Sequence, residues 1–180
     1  MCIRISQLLI GVPALCSCVA SSYAEDLPRS GEYKVIYTGV NMAPSKPMPI
    51  GKSRVVAMSN ITMTAVNTEG SGFLNNLAGR CVGLATLDND AKTVESHGRC
   101  VYADASGDQI FEKYDYPVQA QGTGLRGTAE WTGGTGKFAG LSGAIELTNT
   151  RLSPMTDGIA QVSGTKTGRY SFNGTTSSLK

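Results

Sequence analysis

The sequence predicts an all-β domain: an eight-stranded antiparallel up-and-down barrel, with a β-sandwich as the alternative. Three observations carry this. Apolar residues alternate with polar ones at period two, and no window shows an amphipathic stripe at helical spacing over three turns. Breaks rich in glycine, aspartate and asparagine recur at short intervals, and the chain carries 22 glycines in 180 residues. The apolar runs are short, with near-neighbour connections, and closing such strands on themselves removes exposed sheet edges.

In chain order, residues 1–24 read as a secretory leader. Arg4 supplies a positive charge, residues 5–20 are uncharged and largely apolar, and Ser22-Tyr23-Ala24 has small residues where a signal peptidase cuts. An uncleaved anchor is the alternative. Residues 25–180 then form one domain, expected to be secreted or periplasmic. Formal net charge is only +2 and the charges are scattered, so neither nucleic acid nor, after cleavage, a membrane surface is an expected partner.

Residues 33–38 read as the first strand, and 41–49 as a loop holding three prolines. Residues 54–66 form a long strand whose odd positions, Val55 to Ala65, face inward. Residues 68–74 read as a loop with room for a short helical turn.

Cys81 and Cys100 are the two cysteines outside the leader, and an even pair in an oxidising compartment predicts a disulfide. Strands at 79–87 and 93–104 place them directly opposite when Gly83 pairs with Gly98 and Leu87 with Val94. The next turn, Asp104-Ala105-Ser106-Gly107-Asp108, suits a type I turn with a G1 bulge, pairing Tyr102 with Ile110, Cys100 with Glu112 and Gly98 with Tyr114. One face of this meander then carries Cys81, Gly83, Ala85, Cys100, Tyr102, Ile110, Glu112, Tyr114 and Tyr116. The other carries Glu95, His97, Arg99, Lys113 and Asp115. Residues 121–132, with Trp131 inward, 144–150 and 159–172 complete the eight strands.

The stretch from Gly133 to Gly143, GGTGKFAGLSG, fails as a phosphate loop: Trp131 and Phe138 stand where a glycine and a Ser or Thr are required. It reads as a tight structural turn built on Gly133, Gly134, Gly136 and Gly140, with Phe138 plugging one end of the core. The turn at 104–108 lacks the ligand spacing of a calcium loop, and His97 is the sole histidine, so no metal is expected.

Glu112 is the exception on the inner face. A carboxylate there must be paired, hydrogen-bonded or protonated, unless it sits at the barrel mouth or a bulge turns it outward. Asn60 and Asn173 begin glycosylation sequons.

The run from Gly133 to Gly140, between a strand ending in Trp131 and another strand, resembles a glycine-rich turn of plant dirigent proteins and allene oxide cyclases. With the cysteine pair and the 104–108 turn, it is similar to secreted bacterial proteins of that barrel superfamily. The resemblance implies a barrel with a central apolar cavity, often a homotrimer. Relatives include cofactor-free cyclases and proteins that steer radical coupling or ring closure. No catalytic position of the plant enzymes matches this chain residue by residue.

Three functions follow in order of preference. The first is binding of an apolar small molecule in the lumen, lined by Tyr33, Tyr37, Tyr102, Tyr116 and Trp131. The second is cofactor-free cyclisation, isomerisation or dirigent-type coupling on the same barrel, with Glu112 as acid or base and Tyr114 as its hydroxyl partner. The third is a barrel filled by Phe111, Trp131 and the tyrosines that serves only as a structural module.

Overall fold

A computed structural model describes residues 27–122 and 124–173. The leader expected at 1–24 lies outside them. Nine strands follow in order: β1 (Ser30–Met42), β2 (Met48–Pro49), β3 (Arg54–Asn67), β4 (Leu77–Asp88), β5 (Thr93–Ala103), β6 (Gln109–Ala120), β7 (Gly124–Gly134), β8 (Leu141–Arg151) and β9 (Ile159–Phe172). From β3 to β9 each strand pairs antiparallel with the next, β9 returns to β1, and β1 pairs with β3 over Val35↔Asn67 to Met42↔Asn60. Eight strands thus form a closed barrel with β2 as a short addition on β3.

The two hairpins take the expected registers: Cys81↔Cys100, Gly83↔Gly98 and Leu87↔Val94 in one, Tyr102↔Ile110, Cys100↔Glu112 and Gly98↔Tyr114 in the next. Cys81 and Cys100 are bonded, with Cα atoms 4.0 Å apart. Closing a loop of sequence separation 19 removes entropy from the unfolded chain. Chemical reduction, or alanine at both positions, is expected to cost about 3 kcal/mol in urea unfolding.

Two expectations change. The first strand runs well past 33–38, because Gly31, Gly39 and Asn41 continue the inward period without being apolar. Residues 48–49, expected as loop, pair with Val56 and Val55. Pro49 is tolerated there because β2 is an edge strand whose other side needs no donor.

The connections alternate between the barrel's two ends. At one end lie the β3–β4 loop, the 104–108 turn and the glycine-rich turn, and that end is filled. The loop at 68–76 is not helical; it turns back so that Phe73 and Leu74 are buried. Asn67 holds it there, its Nδ2 donating to the Phe73 carbonyl at 2.8 Å while its Oδ1 accepts from the Glu69 N–H at 2.9 Å. Phe73 stacks on Tyr170 (4.2 Å between centroids) and meets Tyr33 and Trp131 edge-on at 5.1 and 5.7 Å. Phe138, from a 3₁₀ turn at Gly136–Phe138, is buried at the same end, as expected.

The two turns at this end are tied together. Asp104 accepts from Ser106 N–H, Ser106 Oγ and Asp108 N–H, and its other oxygen meets Lys137 Nζ at 2.5 Å. Asp108 accepts the Lys137 N–H at 3.1 Å. Gly107 and Gly136, at φ +90° and +50°, take the left-handed conformations that both turns need.

Burial opposes ionisation of Asp104, but Lys137 and Ser106 outweigh it and hold the carboxyl at about 2. A carboxylate depressed in the folded state adds stability above its ordinary value of 3.8 and loses it as pH falls through about 2. Asp104→Asn is therefore expected to melt below the wild type at neutral pH, with the gap closing across that acid range. A gap independent of pH would show that the carboxylate's charge plays no part.

Candidate functional site

The inner face of β6 follows strict alternation: Ile110, Glu112, Tyr114 and Tyr116 are all buried. A bulge does occur beside Glu112, but on the facing strand. Phe111 pairs with Gly133 and Glu112 with Trp131, so Thr132 is the extra residue and Glu112 stays inward, 1% exposed.

Its partner comes from β9. Even-numbered residues of that strand, from Ala160 through Val162, Gly164 and Lys166 to Tyr170, face the interior. Lys166 is 3% exposed, and its Nζ lies 2.6 Å from both Glu112 oxygens. Tyr102 donates its hydroxyl to Glu112 Oε2 at 3.2 Å. The lysine Nζ also lies over the rings of Tyr102 and Tyr37, 5.3 and 5.5 Å from their centroids.

This charged layer separates a half filled by side chains from a half that encloses a cavity. Beyond it lies a cavity of about 700 Å³ that reaches the loops at the end opposite the glycine-rich turn, including residues 43–47, Gly122 and residues 155–158. Its wall is mostly apolar: Ile61, Met63, Leu87, Leu147 and Val162, with Tyr37, Tyr114, Tyr116 and the disulfide. Glu112 and Lys166 form its charged floor. Lumenal space persists because small residues line this half. A Cβ on Gly98 would stand 2.5 Å from the Tyr114 hydroxyl, so glycine there lets that ring lie flat across the wall.

The polar groups of the wall include Asn41, Ser59, Ser96 and Asn149. Tyr37 donates to the Thr148 carbonyl at 2.7 Å and accepts from Asn149 Nδ2 at 3.0 Å. Asn41 Oδ1 is buried and accepts no hydrogen bond among the described residues. Burial raises the phenol pKa of Tyr37, Tyr102, Tyr114 and Tyr116, and the Glu112 charge adds to the rise at each. These hydroxyls therefore stay protonated and serve as donors near neutral pH. Burial lowers the Lys166 pKa, with Glu112 opposing that shift. Among the described residues no group of three or more His, Cys, Asp or Glu side chains could hold a metal.

The expected site residues divide. Tyr37, Tyr114, Tyr116 and Glu112 line the cavity. Tyr33, Tyr102 and Trp131, expected to line the ligand space, belong to the filled half or its boundary: Trp131 lies 6.0 Å by ring centroid from both Tyr33 and Tyr102. The hydroxyl bound to Glu112 is that of Tyr102, not Tyr114, because the Tyr114 ring extends toward Gly83 and Gly98. Phe111 is at an outward position, so it fills no lumen. Asn60, also outward, carries the first sequon; the last two residues of the Asn173 sequon lie outside the described residues. Sequence reasoning missed Lys166 although period two on β9 was enough to place it inside.

No protein-family model matches the sequence, and no curated protein does. Among solved structures, the pterocarpan synthase dirigent protein GePTS1 is similar at 13% identity and a TM-score of 0.47, covering 82% of this chain and 88% of that one.

Proposed function

We propose that this barrel binds an apolar small molecule in its lumen. The carrying observation is the cavity of about 700 Å³, mostly apolar on its sides, with Glu112 and Lys166 at its floor and Lys46, Arg151 and Asp157 among its other lining residues. Its size falls in the range of about 300–1,000 Å³ usual for small-ligand sites. Apolar burial supplies the affinity, and Lys166, Glu112 and the Tyr37 hydroxyl set the orientation of any polar group on the ligand. The reading includes a secreted or periplasmic location, supported by the Cys81–Cys100 bond. It also includes the homotrimer that the family resemblance implies, which a single-chain mass in light scattering would remove.

The test is binding of phenylnaphthylamine, followed by its fluorescence. Ala85 lines the cavity. Filling the space with Ala85→Trp is expected to weaken binding at least about ten-fold, since the probe and the indole compete for one volume. Equal affinity in a folded variant would place the probe elsewhere and sink the proposal. Native mass spectrometry of the purified protein, with extraction of any co-purified molecule, would identify a resident ligand.

A second reading is favoured by the floor itself. A carboxylate, an ammonium and a phenol in contact, dry on one side and facing a cavity on the other, suit cofactor-free proton transfer of the cyclase or isomerase kind. Glu112 is the acid or base of that reading, with Tyr102 rather than Tyr114 as its hydroxyl partner.

A further inference from the structure

Lys166 occupies a position where barrel geometry alone would be served by an aliphatic residue. Its β9 neighbours on the inner face are Val162, Gly164 and Gly168, and the residues across the two ladders are Leu147 and Val35. A buried ion pair seldom stabilises a fold more than well-packed apolar residues of the same volume would. This one lies at the floor of a cavity of ligand size, in contact with its space.

We propose that Lys166 is a carbonyl-reactive amine, and that the molecules suited to this lumen include apolar aldehydes, which it holds as an imine. This rests on the lumen reading above and names a ligand class for it. Three features of the site support it. Both lysine–carboxylate contacts, at 2.6 Å, are short enough for direct proton exchange. No oxygen or nitrogen acceptor for the third N–H is present among the described residues, so a ligand carbonyl oxygen could accept it. Burial favours the neutral amine, the nucleophilic form.

The chemistry balances without any redox partner. The ammonium of Lys166 gives a proton to Glu112. The free amine attacks the aldehyde carbon, a C–N bond forms, and the electron pair of the carbonyl π bond moves to oxygen, which takes the proton back from Glu112. Glu112 then removes one of the two protons left on nitrogen and returns it to the hydroxyl, which leaves as water as the nitrogen lone pair closes the C=N bond. One aldehyde and one ammonium give one protonated imine, paired with the Glu112 carboxylate, and one water. Tyr102, donating to Glu112 Oε2, is a positioning residue that fixes the carboxylate. Other lysines lack this setting: Lys137 pairs with Asp104 at the filled end and is exposed, and Lys46 stands in a loop at the mouth.

The experiment uses dodecanal with cyanoborohydride on the folded protein, followed by intact mass and peptide mapping. In parallel, dodecanol, which cannot form an imine, is tested for displacement of phenylnaphthylamine. The expected result is a single reduced adduct on Lys166, at least about ten times the labelling of any other lysine, suppressed by excess dodecanol and absent in Lys166→Arg. Displacement by dodecanol without labelling of Lys166, or labelling spread over exposed lysines, would overturn the imine and leave the lumen reading standing. Neither displacement nor labelling would overturn both. Should Lys166→Arg fail to fold, suppression by dodecanol at Lys166 but not at exposed Lys113 decides the matter in the wild type.

Discussion

Glu112→Gln is expected to lower the stability of the barrel by about 3–5 kcal/mol, the cost of leaving a buried charge without its counter-ion. The substitution keeps the shape of the side chain but removes the negative charge and one of the two acceptors of the Lys166 ammonium, which is 3% exposed. Lys166 can recover only by losing its proton, so the deficit should shrink as pH rises toward the lysine's ordinary range. Replacing both partners, with Glu112→Leu and Lys166→Met together, removes the uncompensated charge and is expected to restore wild-type stability or exceed it by about 1–4 kcal/mol. Urea unfolding of the wild type, Glu112→Gln and the double variant measures this. A Glu112→Gln protein as stable as the wild type would mean that water from the cavity solvates the lysine and that the pair is not dry.

Trp131→Ala is expected to cost a similar amount, about 3–5 kcal/mol, through a different cause. The indole is 3% exposed and touches rings contributed by three other parts of the chain: Tyr33 on β1, Phe73 from the β3–β4 loop and Tyr102 on β5. Its removal leaves a void in the filled half, bounded by aromatic rings that cannot close over it. Because Trp131 does not line the cavity, probe affinity should change little while the folded fraction remains high. A large loss of affinity at full folding would show that the two halves are mechanically coupled.

That separation of halves is where sequence reasoning stopped. Alternation along a strand tells which side chains face the axis, but not how far along the axis each lies. Tyr33 and Tyr37 share a face of β1, yet one packs against Phe73 in the filled half and the other lines the cavity. Their separation depends on strand tilt and on which loops fold inward, and the loop that fills one end does so through Asn67 and Phe73, residues with no local signature. The hairpins around Cys81 and Cys100 were legible because a turn and a cross-strand pair fix a register locally. Closure of β1 on β3 was legible only as an inference from strand number. Glu112 stood out as an acid on an apolar face; Lys166, inward by the same rule, was overlooked because glycines flank it on its face of β9 and leave no apolar stripe to set it off.

The alternation of connections has a consequence for presentation. β1 begins and β9 ends beside the glycine-rich turn, with the Asn173 N–H bonded to the Gly140 carbonyl. Anything joined to either end of the barrel, whether a tag, a resin or a neighbouring domain, therefore hangs from its base. A barrel held on a surface by either end would stand with its opening toward the solution.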